Sequence, residues 1–272
     1  MQFGVCGDVR TATVAARASY DFAEWSVPAL LKPRESEDAF VAGLGELRSA
    51  GLPYPVANCF VPGDLKITGP EVDTPALRAY VTTTMERAER AGVEVIVFGS
   101  GGARRIPDGF DPQAAHDQLV AFCGMVAPLA HDHGVVVVVE PLNTADCNVL
   151  TTVAECARLV NEVRHPAIRL LVDAYHLMRD GDSYDDIVKH GDLLAHVHIA
   201  TVPERLAPGA ESCDWTRFFR ALADAHYNGR ISIEAKITDP LTELPVALAT
   251  LRRLVAVTLN SHSHKATGVD AQ

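Results

Sequence analysis

The sequence predicts a single-domain α/β protein folded as a (β/α)8 barrel, the TIM barrel architecture. Three observations predict it. Eight short apolar runs alternate with longer stretches of helical pattern, and that alternation builds a parallel sheet. Runs such as VVVVVE at 135–140 and IRLLVD at 168–173 are apolar at nearly every position, as strands covered on both faces are. The length of 272 residues suits a barrel of this type, which commonly runs to about 250 residues as one domain.

The elements follow in order. A first strand over 2–6 (QFGVC) precedes a short helix near 11–18, and a second strand over 20–25 (YDFAEW) precedes a helix near 36–50. The third strand is read over 53–59 and the fourth over 94–99, with a helix near 74–91 between them. After strand four, GSGGA at 99–103 reads as a tight, permissive turn, followed by a helix near 111–133. Strands over 135–140, 168–173, 194–199 and 230–235 complete the set, each followed by a helical stretch, near 151–163, 182–190, 214–227 and 240–258. An open dinucleotide-binding sheet would want G-x-G-x-x-G after its first strand, and the residues there read GDVRTAT. The barrel is expected over 1–260. The stretch 261–272 is small and polar and is expected to be a flexible tail, with His262 and His264 assigned no chemistry.

Composition excludes several function classes. The net charge is −11 and no basic run is longer than a pair such as Arg104-Arg105, so a nucleic-acid partner is not expected. The longest apolar run, Val135 to Val139, is far too short to span a bilayer, and the residues MQFGVCGDVR do not read as a secretory signal. The six cysteines, at 6, 59, 123, 147, 156 and 213, form no C-x-x-C pair. A cytoplasmic setting is expected, with most of these cysteines acting as buried small hydrophobes.

Chemistry concentrates where apolar strands end. Glu140 closes strand five, Asp173 closes strand six, His198 lies near the end of strand seven, and Glu234 lies near the end of strand eight. In a closed parallel barrel these four ends are neighbours on one rim, the rim where barrel active sites sit. Three carboxylates gathered without a cation repel one another and have their pKa values forced up. One divalent ion resolves the conflict. Carboxylate oxygens with one imidazole suit Mn²⁺ first, with Mg²⁺ and Co²⁺ as alternatives, better than they suit a structural zinc. His176, three residues beyond Asp173, is placed on the loop after the strand, facing the pocket. His196 points to the same side of its strand as His198 but lies deeper, and is read as a hydrogen-bonded core residue. His131 and His133 end a helix and are assigned no chemistry.

The segments EPLN (140–143), DAYH (173–176), HVHIA (196–200) and IEAK (233–236) together resemble the sugar isomerase/epimerase superfamily of xylose-isomerase-like barrels. That superfamily includes ketose 3-epimerases and hydroxypyruvate isomerases. The resemblance covers the barrel from strand four onward, and the first ninety residues match in outline. It implies that Glu140, Asp173, His198 and Glu234 hold the metal, that Glu140 and Glu234 also act as catalytic acid and base, and that His176 and Arg205 contact substrate oxygens. The stretch HIATVPERLAPG, from His198 to Gly209, looks closest to the hydroxypyruvate-isomerase type, as does the pairing of Glu234 with Lys236, a further substrate contact. Thr201 stands where that branch has an acid, and its Pro-Gly-x-Gly reads PGAE here.

The function expected is therefore a divalent-metal-dependent isomerase or epimerase. It would act on a sugar, keto-sugar or keto-acid by proton transfer through a metal-bound enediolate. Arg104, Arg105, Arg205 and Lys236 could serve a substrate phosphate or its hydroxyls and carboxylates. The same chemistry run to elimination would make a lyase or dehydratase of a keto-sugar or inosose, and loss of turnover would leave a sugar-binding barrel. An apurinic-site endonuclease on this barrel would need more rim histidines and a basic surface. A small-molecule partner is expected, with no nucleic acid and no membrane; a homo-oligomer is left open.

Overall fold

The computed structural model describes residues 1–266, with side chains described through residue 258. Its elements in chain order are β1 (Gln2–Cys6), α1 (Val9–Arg17), β2 (Phe22–Ser26), α2 (Val27–Leu30), α3 (Glu37–Ser49), β3 (Val56–Asn58), α4 (Thr74–Ala91), β4 (Val95–Phe98), α5 (Gly101–Arg104) and α6 (Pro112–Asp132). They continue as β5 (Val136–Val139), α7 (Val153–Val163), β6 (Ile168–Asp173), α8 (Ala174–Asp180), α9 (Tyr184–Lys189), β7 (Leu194–Ile199), α10 (Thr216–Asp224), β8 (Arg230–Ile233) and α11 (Pro240–Ala266). The eight strands form a closed barrel in sequence order, and parallel pairing of β1 with β8 closes it. Each strand in the order has the chain run the same way, so all eight C-terminal ends open on one rim.

The crossover helices α4, α6 and α7 start where the chain supplies a side-chain acceptor for their free N–H groups. Asp73 caps α4 and Asp111 caps α6, each with a proline in the first turn, and Thr152 with Glu155 forms a reciprocal capping box on α7. Gly92 then ends α4 in the left-handed conformation. These signals fix where each crossover leaves the barrel and returns to it.

Burial divides the molecule into two apolar layers. The larger fills the space between strands and helices, from Phe3 and Val5 on β1 to Leu248 and Leu251 on α11. The smaller plugs the barrel itself with Phe22, Val56, Val95, Val97, Val138 and Leu171. Gly4 makes that plug possible: a Cβ there would stand 2.2 Å from the Phe22 ring. Above the plug the interior turns polar, with Glu24, Asn58, His196, His198 and Ser232 all buried.

Some local readings need correction. The GSGGA segment is not only a turn, because Gly101–Arg104 forms a short helical turn, α5. Residues 174–180, read as loop, form α8. Cys123, Cys147 and Cys156 are buried as small hydrophobes, and burial pushes the Cys123 thiol up to about 12, but Cys59 is exposed. The last helix runs to Ala266, while the side chains of His262 and His264 and residues 267–272 of the expected tail lie outside the described residues. Among the described residues no helix is long and apolar enough to cross a membrane.

Candidate metal centre

The rim gathers four ligand groups from consecutive strands. β6 and β7 pair with Asp173 directly opposite His198, so these two side chains enter the barrel mouth side by side. Glu140 follows β5 and Glu234 follows β8, and each is anchored by a ladder-type bond: Glu140 N–H to the Phe98 carbonyl (3.2 Å) and Glu234 N–H to the Ile199 carbonyl (3.1 Å). One oxygen or nitrogen from each of Glu140, Asp173, His198 and Glu234 lies within 4.8 Å of all the others. The four positions picked from the sequence are thus brought together.

The atoms face one another in a definite way. His198 Nδ1 lies 3.2 Å from Glu140 Oε1 and 3.4 Å from Glu234 Oε2. Asp173 Oδ1 accepts the Tyr175 N–H at 2.7 Å, which caps α8. Asp173 Oδ2 is buried and has no hydrogen-bond partner. A buried carboxylate oxygen without a donor is costly unless a cation satisfies it. That orphaned oxygen, beside two more carboxylates and an imidazole nitrogen, is what a hard divalent cation fits.

Two neighbours shape the pocket for Glu140. Gly99 lies so near that a Cβ there would stand 2.2 Å from Glu140 Oε2. Arg104 is fully buried and donates to the carbonyls of Phe98 (3.0 Å), Glu140 (2.7 Å) and Leu150 (3.1 Å). It pins the ends of β4 and β5: both terminal nitrogens are engaged by backbone carbonyls and the side chain is fully buried, away from a substrate, which corrects the sequence reading. Arg105 donates to the Asp146 carbonyl at 2.8 Å at the protein surface.

His176 and Arg205 both border the cluster. His176 lies on α8 and not on a loop, because Asp173 serves as N-cap and starts a helix at once. Its Nδ1 accepts the Asn143 N–H at 3.1 Å, which turns Nε2 toward Asp173 Oδ2, 3.5 Å away. Arg205 reaches Glu234 Oε2 with Nη2 at 2.6 Å and lies over the Tyr175 ring at 4.8 Å. Lys236 is exposed; its N–H donates to the Arg205 carbonyl at 2.8 Å, which ties the two loops together. Thr201 is buried, with its hydroxyl donating to Glu211 of the PGAE segment and accepting the Leu206 N–H at 2.9 Å.

The electrostatics of the side chains alone follow from this packing. Burial raises the Asp173 carboxyl, and Glu140 and Glu234 push the same way, against His176. Burial also pushes Glu234 up, but His198 and Arg205 outweigh it and hold its carboxyl below the usual range. Burial lowers His198, but Glu24 and Glu234 outweigh it and raise the imidazole well above its ordinary value.

Glu24, on β2, escaped the sequence reading. It is fully buried, with Oε1 2.9 Å from His198 Nε2 and Oε2 3.0 Å from His196 Nε2. The one available signal was an acid inside the otherwise apolar run FAEW, in a chain that also carries His-x-His near a strand end.

Comparison with known proteins agrees with this architecture. The chain is 31% identical over 110 residues to D-psicose 3-epimerase of Agrobacterium fabrum, a match covering 40% of this chain and 38% of that protein. It is 32% identical over 124 residues to 3-dehydro-D-guloside 4-epimerase of Escherichia coli, covering 44% and 46%. It is 29% identical over 143 residues to a putative hydroxypyruvate isomerase of Mus musculus, covering 48% and 51%. The chain thus spans about half or less of the length of these curated relatives. Among solved structures, D-allulose 3-epimerase from Methylomonas sp. in complex with D-allulose superposes with a TM-score of 0.80 at 21% identity, covering 93% of this chain and 96% of that one, which supports the shared fold. The family model described as the xylose isomerase-like TIM barrel matches residues 12–254, and the chain belongs to that family.

Proposed function

We propose that the protein is a divalent-metal-dependent isomerase or epimerase of a sugar, keto-sugar or keto-acid, with Glu140, Asp173, His198 and Glu234 as metal ligands. The observation that carries this reading is the convergence of three carboxylates and one imidazole within 4.8 Å, with one buried carboxylate oxygen left without a donor. A divalent ion held there, Mn²⁺ first and Mg²⁺ or Co²⁺ as alternatives, would supply Lewis-acid stabilisation of the negative charge that develops next to a substrate carbonyl.

The chain's own residues do the proton work. Removing a proton beside a carbonyl needs an ionised carboxylate, and the Arg205 guanidinium, with Nη2 2.6 Å from Glu234 Oε2, favours that form of Glu234. Glu140 comes from the other end of the four-strand arc and returns a proton from a different direction. Two such groups on opposite faces of one carbon invert it, and one group moving a proton between adjacent carbons interconverts aldose and ketose. Arg205, between Glu234 and the Tyr175 face, meets a substrate oxygen at the edge of the site. His176 presents Nε2 from the Asp173 side, and Lys236 approaches from the exposed rim.

The test is a panel of ketoses, keto-acids and inososes incubated with Mn²⁺-loaded protein, with products resolved by NMR. Epimerised or isomerised product supports the reading. A dehydrated product would move the protein to the lyases, and sugar binding without turnover would make it a binding barrel.

A further inference from the structure

A buried carboxylate persists in a fold only where its surroundings hold it, and Glu24 is held on both oxygens by imidazoles. Its Oε1 takes the His198 Nε2 contact at 2.9 Å and its Oε2 takes the His196 Nε2 contact at 3.0 Å. The two rings stand edge to face, with centroids 5.0 Å apart and planes at 84°. Ser232 Oγ lies 3.2 Å from His196 Nε2, on the β8 side. With both oxygens engaged by residues of one strand, the carboxylate cannot rotate freely.

An imidazole has two nitrogens, and the partner of one decides the state of the other. An anionic acceptor at Nε2 requires a hydrogen there, and in the neutral ring Nδ1 then carries the lone pair. In His198 that Nδ1 is the atom facing Glu140 Oε1 at 3.2 Å and Glu234 Oε2 at 3.4 Å. The opposite arrangement, Nε2 as ligand, would aim the ring nitrogen at Glu24, below the rim and away from Asp173.

We propose that Glu24 is a positioning residue of the metal centre: its carboxylate, steadied by His196, fixes His198 in the Nε2–H form and aims Nδ1 into the space between Glu140, Asp173 and Glu234. The inference rests on the reading of His198 as a metal ligand. Carboxylates that hold a ligating histidine in this way typically contribute 10- to 100-fold to metal affinity. A carboxylate that only filled space or neutralised charge in the barrel would leave the choice of ligating nitrogen untouched.

The direct test is NMR of the Cd²⁺-loaded wild-type protein with histidine isotopically labelled at its ring nitrogens. The expected spectrum shows His198 metal-bound through Nδ1 and protonated at Nε2. Metal bound through Nε2 would overturn the proposal, and this measurement needs no variant to fold. In parallel, Mn²⁺ affinity is measured by titration calorimetry for wild type, Glu24→Gln and His198→Ala, with thermal melts to establish that each is folded. Glu24→Gln is expected to bind Mn²⁺ about 10- to 100-fold more weakly and to shift the Nε2–H signal, because its amide oxygen is a weaker, neutral acceptor. A folded Glu24→Gln protein with wild-type affinity and an unchanged His198 signal would overturn the proposal. If His198→Ala also bound Mn²⁺ as wild type does, the metal-centre reading itself would fall; if only Glu24→Gln did, that reading would stand and the role of Glu24 alone would be wrong.

Discussion

His176 Nε2 lies 3.5 Å from Asp173 Oδ2, an oxygen that is buried and has no hydrogen-bond partner. The carboxylate is therefore placed for a partner that the side chains around it do not supply. Its neighbours on the rim are two further carboxylates and the Nδ1 face of His198.

That placement predicts the effect of Asp173→Asn. The substitution keeps the acceptor for the Tyr175 N–H and removes a charge that burial disfavours. A carboxyl whose pKa is raised on folding destabilises the fold when ionised, so its cost is full above the raised pKa and vanishes below the ordinary value near 3.9. Metal-free Asp173→Asn should accordingly be more stable than metal-free wild type at neutral pH, by on the order of 1 kcal/mol, and the difference should close as the pH falls. Chemical denaturation with a chelator present, across a pH series, measures it. Mn²⁺ at a hundred times its Kd should stabilise wild type by about 2.7 kcal/mol and the Asn variant not at all.

Gly99→Ala should fold and still lose the centre. The new methyl group would stand 2.2 Å from Glu140 Oε2, the mobile end of a side chain, so the carboxylate moves and the backbone stays. The expected result is a melting temperature close to that of wild type in chelator, with metal affinity at least about tenfold weaker. Wild-type affinity in the folded variant would show that Glu140 does not need its present position.

The pairing of Arg205 with Glu234 makes a prediction about pH. Arg205 is one of the groups that hold the Glu234 carboxyl below the usual range, so Arg205→Gln lets it rise. The base is then protonated over a wider acidic range. The acid limb of kcat against pH should move upward, with metal content unchanged. An unmoved limb would mean that Glu234 is not the group whose ionisation governs turnover.

Much of this was legible in the sequence, for a physical reason. In a parallel barrel every strand is covered on both faces, so a charged residue closing an apolar run stands out, as Glu140 does after five valines and Asp173 after IRLLV. Glu24 did not stand out, because its meaning lies in His198 and His196, 174 and 172 residues away, and only barrel closure brings them together. His176 was placed on a loop because α8 has only seven residues, too short for a periodic pattern to declare itself. Arg104 read as a candidate substrate contact for a related reason: its three acceptors are backbone carbonyls, which no side-chain pattern reports.

We propose that Glu140 and Glu234 carry the proton transfers at a metal centre. The most direct measurement is turnover of Glu140→Gln and Glu234→Gln, each confirmed to be folded and metal-loaded, on the substrate that the panel identifies. Gln keeps the shape and removes the proton acceptor, and a positioned acid or base contributes roughly 10²–10⁴-fold. Each variant should lose about that much kcat, and wild type in D₂O should place deuterium at the reacting carbon of its product. A metal-loaded Gln variant with wild-type turnover would contradict the claim whatever the substrate.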